Sequence, residues 1–254
     1  MSTTPARQRR QDAKADPGRA KRLNWNGITS EISECQDCVT SKQDVTVLPW
    51  DDSLTLPDPL SRVERVRLLM ISWSPPGGNE AIQRRHFFYN AASKDRLRPK
   101  LFTAFSRAGF ENLKQDGALE QLDRFLSQGF YLTPTVFRRC SKGGKDKPPP
   151  LDLRMHSYRK HVLKIVQYCK PMNVVLLGKA PLETMLRANP EYLPELQVFY
   201  RECGRLRDCR VLAIARSYPF DQNAPENGFL HISYWPRGRG IDLLAGDVLR
   251  ILGQ

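Results

Sequence analysis

Four short apolar runs alternate along the chain with stretches in which apolar residues recur at helical spacing. The runs cover residues 66–71, 130–137, 173–177 and 210–215, and the helical stretches cover 97–108, 118–128, 155–169 and 241–252. Strands that are apolar on both faces and separated by helices are typical of a parallel sheet. The pattern therefore predicts an α/β fold, a three-layer α/β/α sandwich with a central four-stranded parallel sheet.

The first 22 residues differ from the rest of the chain. They are rich in Lys and Arg and contain no large apolar residue after Met1. Such a segment cannot bury apolar surface, so residues 1–22 are predicted to form a disordered basic tail. Residues 23–254 contain all the apolar runs, and we interpret them as one globular domain.

The charge of the chain indicates a class of partner. Lys and Arg number 40 against 27 Asp and Glu, which gives a formal net charge of +13. This excess favours polyanions, with nucleic acid, DNA above all, ahead of acidic membrane surfaces. The sequence contains no run of about 18 apolar residues, so no membrane span is predicted. It shows no apolar leader, so no secretion signal is predicted. We therefore expect a monomer in the cytoplasm, the nucleoid or a nucleus.

A rigid turn follows the first apolar run. The sequence Ser72-Trp73-Ser74-Pro75-Pro76-Gly77-Gly78 contains two prolines and two glycines, which continue neither a strand nor a helix. In an open α/β sheet, ligands bind at the carboxyl ends of the strands, where this turn lies. The aromatic cluster of residues 86–90 follows closely. Its rings either stack on a flat ligand or pack under the turn as part of the core.

The order of these features resembles the uracil-DNA glycosylase superfamily, especially its iron–sulfur branches. Four stretches carry the resemblance: the turn at 71–77, the aromatic residues 87–89, the apolar run 173–178 that ends in Leu177-Gly178, and the loop 216–223. The resemblance implies a DNA glycosylase that excises uracil, or another deaminated or damaged base, by hydrolysis of the N-glycosidic bond. The alternative is a catalytically inactive member of the same fold that only binds nucleic acid.

The resemblance also implies roles for individual residues. Trp73 stands where a water-activating group is expected and cannot accept a proton, so Asn79 and Glu80 become the catalytic candidates. The flipped base would be bound by Trp73, Pro76, Gly77, Phe87, Phe88 and Asn90. The DNA would be bound by Lys179, Arg216, Ser217 and Tyr218. Structural interpretations stay open beside these: Glu80 as a helix cap, Asn90 as a turn residue, and the cations as solvated surface charges.

Six cysteines in a chain without an export signal favour metal ligands or buried thiols over disulfides. The resemblance implies a [4Fe-4S] cluster bound by Cys35, Cys38, Cys140 and a fourth ligand at the position of His156. Three Cys and one His also suit zinc, so zinc and no metal at all are the alternatives. Cys203 or Cys209 could take the place of His156.

A nucleotide-binding enzyme of the P-loop or dinucleotide type is not supported. Neither GxxxxGK[ST] nor GxGxxG follows any of the apolar runs. The pair Gly178-Lys179 lacks both the upstream glycine and the following Ser or Thr of a P-loop.

Overall fold

The elements of the fold lie in the part of the chain that the computed structural model describes, namely residues 23–38, 46–48, 55–73, 87–92, 95, 97–110, 113, 117–142, 145–147, 149–188, 211–214, 229–232 and 239–252. The strands are β1 Thr46–Leu48, β2 Leu68–Ser72, β3 Phe130–Pro134, β4 Arg139–Lys142, β5 Lys145–Lys147, β6 Asn173–Leu177, β7 Val211–Ile214 and β8 Phe229–Ile232. The helices are α1 Trp25–Glu34, α2 Arg98–Arg107, α3 Ala118–Ser127, α4 Leu151–Ser157, α5 Leu163–Cys169, α6 Lys179–Ala188 and α7 Arg239–Leu252. A π-helical turn, Tyr158–Val162, joins α4 and α5 into one continuous helix.

The main sheet has the strand order β3-β2-β6-β8-β7. β2 pairs in parallel with β3, from Leu68 opposite Phe130 to Ser72 opposite Pro134. On its other side it pairs in parallel with β6, and Ile71 lies opposite Leu176. The predicted mixed α/β chain with parallel central strands is therefore confirmed.

The last two strands differ from the prediction. The run at 210–215 forms β7 as expected, but β7 is antiparallel to β8 and lies at the edge of the sheet. The place beside β6 is taken by β8, which pairs with it in parallel and was not predicted. β8 has only four residues and includes His231, so it lacks the continuous apolar run of a buried strand. An antiparallel edge strand is common on an otherwise parallel sheet.

The predicted helices are found, with ends shifted by a few residues. α3 ends before Gly129, whose φ of 77° is a left-handed conformation that favours glycine. A Cβ there would also lie 3.1 Å from the backbone nitrogen of Arg67. α1 was not predicted; it begins at the cap residue Asn24, whose side chain accepts a hydrogen bond of 2.7 Å from the Gly27 N–H. Among the described helices, none is long and apolar enough to cross a membrane.

A second, smaller sheet, which was not predicted from the sequence, is formed by three short strands. β4 pairs antiparallel with β1 and with β5, so the order is β1-β4-β5. In β4 and β5, Lys142 lies opposite Lys145, and only Gly143-Gly144 separates them in the sequence. A two-residue Gly-Gly connection is a strong hairpin signal, which the polar composition of the segment masked.

β2 lies between two apolar clusters because its side chains alternate between the faces of the sheet. Leu69 and Ile71 pack in a cluster with residues of α1, the π turn, α5 and α6. Leu68 and Met70 pack in a cluster with residues of α2, α3 and α7. Helices therefore cover both faces of this strand.

The outer edge of β3 is closed by a tyrosine side chain. The Tyr89 hydroxyl donates to the Leu132 carbonyl at 2.9 Å and accepts from the Leu132 N–H at 2.7 Å. Its ring stacks on Tyr131, with 5.4 Å between the ring centroids. Pro134 lies two residues after Leu132, so its backbone faces the same outer edge, but proline has no N–H that needs a partner. Tyr89 therefore supplies the hydrogen bonds that a further strand would otherwise give to Leu132.

We expect Tyr89→Phe to lower the free energy of unfolding at neutral pH by about 1–3 kcal/mol, because both backbone groups of Leu132 lose their partner. Burial also raises the pKa of Tyr89 well above its ordinary value of 10.0. The folded state thus keeps a proton that the unfolded state loses, so this contribution is full below about pH 10 and is lost as the pH rises further.

The measurement is urea unfolding of both chains at pH 7 and at about pH 10.5, just above the ordinary tyrosine pKa. The wild type should lose more stability between the two pH values than the Tyr89→Phe chain. Equal stability of the two chains at pH 7 would contradict the role given to the hydroxyl.

Candidate metal centre and ligand-binding edge

Two cysteines and two histidines bring their donor atoms together beside the end of α1. The donor atoms of Cys35, Cys38, His156 and His161 all lie within 4.8 Å of one another. Cys35 Sγ is 3.7 Å from His156 Nε2, and Cys38 Sγ is 3.4 Å from His161 Nε2. Three of the four residues are buried, and His156 is partly buried. These residues, called the Cys2His2 cluster below, could hold a metal ion.

The two histidines share a face because the helix that carries them contains the π turn. They are five residues apart, and on a regular α-helix they would point about 140° away from each other. The Leu163 N–H donates to the Tyr158 carbonyl, five residues back, and this wider turn brings positions five apart towards alignment. The ring centroids of the two histidines are 6.4 Å apart. The π turn thus makes both imidazoles available to one ion.

The end of α1 places the two cysteines. Cys35 follows the last helical residue and has an extended backbone, so the chain leaves the helix there and turns through residues 36–38. The buried Arg138 guanidinium donates to the carbonyls of Ile32 at 3.4 Å and Ser33 at 2.5 Å. α1 has no basic residue in its own last turn. Arg138 therefore supplies, from outside the helix, the donors and positive charge that the carbonyl end of a helix favours.

Two of the distances between the donors fit a single ion. Zinc binds cysteine sulfur at about 2.3 Å and histidine nitrogen at about 2.0–2.1 Å in a tetrahedron, which separates neighbouring donors by about 3.4–3.8 Å. The two sulfur–nitrogen distances of 3.7 and 3.4 Å fall in this range. In a four-iron cluster each ligand binds a different iron atom, so its donors need not converge on one point. The converging donors of the Cys2His2 cluster therefore give no specific support to a bound [4Fe-4S] group.

Burial changes the proton affinity of two donors in opposite directions. The pKa of Cys38 is raised to about 12, first by burial and then by the hydrogen bond and charge of Cys35. Burial lowers the pKa of His161 to about 4. At neutral pH His161 is therefore in the neutral form that binds metal ions, whereas the Cys38 thiol has to release its proton when an ion binds.

An ion pair lies at the solvent side of the cluster. Lys160 Nζ is 3.2 Å from Asp37 Oδ2, and the same oxygen is 3.9 Å from His156 Nε2. The hydrogen bond to Asp37 raises the pKa of Lys160, so its ammonium charge is kept beside Cys35.

Three of the predicted ligands, Cys35, Cys38 and His156, come together as expected. Cys140 is buried in the same apolar cluster with Val136 and Leu153, but it is not one of the four converging donors. Its role as a ligand stays a prediction. His161 was missed by the sequence reasoning, although the signal was present. A Cys-x2-Cys pair followed by His-x4-His is a ligand spacing typical of zinc sites.

The carboxyl ends of β2 and β6 form a second candidate site. From β2 the chain continues to β3, which lies on one side of β2 in the sheet. β6 lies on the other side of β2, and the strands that follow β6 in the chain, β7 and β8, lie beyond β6. Connections that leave in opposite directions open a crevice between the two strand ends, and ligands of α/β sheets bind there. Trp73 follows β2 and is 42% exposed, an unusual exposure for a large apolar side chain of the described residues. Lys179 begins α6 after a single residue, Gly178, that follows β6.

The structure places three other predicted base-binding residues as follows. Phe87 and Phe88 are each only 6% exposed and belong to the two opposite apolar clusters. The Asn90 side chain accepts a hydrogen bond from the Ala92 N–H at 3.0 Å, and its carbonyl accepts one from Arg98 at 2.8 Å. These contacts are those of core and turn residues. Their roles in base binding stay predictions.

Several predicted site residues lie outside the described part of the chain. They are Pro76, Gly77, Asn79 and Glu80 after β2, and Arg216, Ser217 and Tyr218 after β7. The Lys179 side chain and the predicted basic tail also lie outside it. The roles assigned to them in catalysis and DNA binding stay predictions.

A scan against models of protein families finds no match for this chain, and a search of curated proteins finds none either. The strand ends, the Cys2His2 cluster and the charge of the chain are therefore the features that bear on its function.

Proposed function

We propose that the protein is a DNA glycosylase-like hydrolase that excises uracil, or another deaminated or damaged base, at the carboxyl ends of β2 and β6. The observation that carries the proposal is the exposed Trp73 side chain at the carboxyl end of β2, beside the crevice between these strands. An indole at this place offers a flat apolar surface on which a base can stack. The proposed fold is the three-layer sandwich around parallel strands that the sequence predicts.

The charge of the chain supports DNA as the partner. A formal net charge of +13 attracts a phosphate backbone whatever its sequence. Lys179 at the amino end of α6 adds positive charge to a helix end that already favours phosphate. A glycosylase needs such backbone contacts to hold the DNA while one base leaves the stack.

We assign the Cys2His2 cluster to one structural zinc ion per chain. All four donors come from the protein, so a tetrahedral ion would have no open position for water or substrate. The ion would hold the end of α1 against the α4–π–α5 helix and would take no part in the chemistry. Glu80, with Asn79, remains the proposed group that positions water against the sugar.

A second candidate function, binding of nucleic acid without cleavage, is favoured by one observation. Trp73 occupies the place expected of a water-activating residue, and an indole has no group that can accept a proton. The two functions share the same site and the same partner, so an assay has to separate them.

The test is a cleavage assay on single- and double-stranded oligonucleotides that carry uracil, hypoxanthine or xanthine. The proposal expects an abasic product from at least one lesion and no product with the Glu80→Ala chain. Salt-sensitive binding without product from any lesion would establish the non-catalytic alternative. No binding and no product would overturn both functions.

We expect Trp73→Ala to weaken oligonucleotide binding by a factor between about 5 and 150, the loss of one base–aromatic stack of about 1–3 kcal/mol. The slope of affinity against salt concentration should not change, because no phosphate contact is removed. Fluorescence anisotropy at several salt concentrations measures both quantities. The control is Leu119→Ala on α3, which also removes an exposed apolar side chain, 69% exposed, and should leave affinity unchanged.

A further inference from the structure

The four residues that follow β3, Thr135–Val136–Phe137–Arg138, are all buried, which is uncommon for a connection between strands. Their exposed fractions are 0, 0, 2 and 4% in chain order. They join the carboxyl end of β3 to β4, and below they are called the bridge segment. A buried segment has to find hydrogen-bond partners for its backbone within the protein. The contacts of the bridge segment therefore identify the parts of the protein that it connects.

One side of the bridge segment holds the end of β2. The Thr135 N–H donates to the carbonyls of Ser72 at 2.7 Å and Trp73 at 3.1 Å, and its hydroxyl also donates to the Ser72 carbonyl at 2.7 Å. The Val136 N–H donates to the Trp73 carbonyl at 3.2 Å. The backbone of Trp73 is therefore held by the bridge segment beyond the last paired residue of β2.

The other side of the bridge segment packs on the Cys2His2 cluster. The Val136 side chain packs in a cluster with Cys35 and Cys38. The Phe137 ring meets the His161 ring edge to face, with 6.1 Å between centroids. Arg138 binds the last carbonyls of α1, the helix that places Cys35. Three successive side chains thus contact three parts of the metal centre: the two cysteines, one histidine, and the helix end that places Cys35.

We propose that the bridge segment couples the Cys2His2 cluster to the ligand-binding edge, so that a metal ion in the cluster fixes the position of Trp73 without touching the ligand. Val136 is the positioning residue, because its N–H holds Trp73 while its side chain packs on Cys35 and Cys38. Without the ion, the cysteine and histidine side chains have no common partner, so the packing of Val136 on Cys35 and Cys38 is less rigid. The hydrogen bonds from the bridge segment to Ser72 and Trp73 then open more often. The proposal deepens the function proposed above and rests on it only for the identity of the ligand.

The test is amide hydrogen exchange of the full chain with one zinc ion bound and after its removal by a chelator. Peptides that cover 68–73 and 135–138 should exchange about tenfold faster without zinc, equivalent to about 1.4 kcal/mol of opening free energy. Peptides from α2, which packs in the opposite apolar cluster, should speed up less, and only through the loss of global stability. An unchanged rate at 135–138 would overturn the coupling, because the N–H groups that hold Ser72 and Trp73 belong to Thr135 and Val136. An equal increase in α2 would also overturn it, because zinc would then act on this edge only through global stability.

The Val136→Ala chain separates coupling from general support. It should still bind one zinc ion, because no donor is removed, but exchange of the donating amides at 135–138 should then be fast with or without zinc. Val175→Ala, a buried valine of β6 in the opposite cluster, is the matched control and should keep the zinc dependence. A Val136→Ala chain with the wild-type zinc dependence would refute the role of Val136. Because the exchange experiment contains no DNA, failure to bind oligonucleotides would count against the proposed function alone.

Discussion

A chain in which Cys38 is replaced by serine should lose its bound metal ion and much of its stability. Three donors do not complete a tetrahedral structural site, and the free energy of metal binding contributes directly to folding. We expect the free energy of unfolding to fall by at least about 4 kcal/mol, which in a domain of this size lowers Tm by about 8–16 °C. Metal analysis of the purified chain and thermal unfolding in the presence of zinc measure the two effects.

Cys140→Ser is the matched control for this substitution. Cys140 is as deeply buried as Cys38 and lies in the same apolar cluster, but its sulfur is not among the converging donors. This chain should keep one metal ion, with a loss of stability limited to the cost of a buried hydroxyl. If Cys140→Ser loses the metal and His161→Gln keeps it, the ligand set is the one the sequence predicts, and the assignment of His161 is wrong.

Replacement of Phe88 by alanine should destabilise the protein by about 3–5 kcal/mol, the usual cost of removing a buried phenylalanine ring. Phe88 lies among the rings of Tyr89, Phe102 and Phe125, with 5.0–6.1 Å between centroids. If Phe88 stacks on a flipped base instead, the substitution should mainly weaken DNA binding. Urea unfolding and oligonucleotide affinity, measured on the same chain, separate the two roles.

Phe88→Leu is the control for the role of the ring in the core. It keeps most of the apolar volume, so it should cost less than about 1.5 kcal/mol. A base-stacking residue would not be rescued by leucine, because an aliphatic side chain offers no aromatic face. Normal stability of Phe88→Ala together with lost DNA binding would contradict the core assignment.

The parallel centre of the sheet could be predicted because its strands are continuous apolar runs. β6 begins and ends where the sequence predicts, since Asn173 and Gly178 bound four apolar residues. The direction of β7 could not be predicted, because an apolar run carries no information about the strand beside it. That neighbour, β8, is short and contains a histidine, so its own signal was too weak to correct the order.

The candidate metal centre was predicted in part for a similar reason. The Cys-x2-Cys pair is recognisable from spacing alone, and His156 was implied by the fourth ligand position of the family that the chain resembles. His161 was missed although the His-x4-His spacing was a signal, because two positions five apart do not share a face on a regular α-helix. The π turn at 158–162 brings them together. Trp73 was noticed as a departure from a family pattern, but its exposure depends on strand order, which only the fold reveals.

The π turn also determines which changes this protein can accept. A π turn is an α-helix with one additional residue, and here that residue lets the part before it face the metal centre while the part after it faces the sheet. The identities of the exposed residues between the two histidines can vary, since their side chains are not donors. Their number has an upper limit, because one inserted residue between 156 and 161 would turn one imidazole by about 100° away from the other donors. One residue fewer would leave a regular α-helix with the two histidines four apart and still on one face. The greatest length of this segment is therefore a stricter marker of the site than its composition.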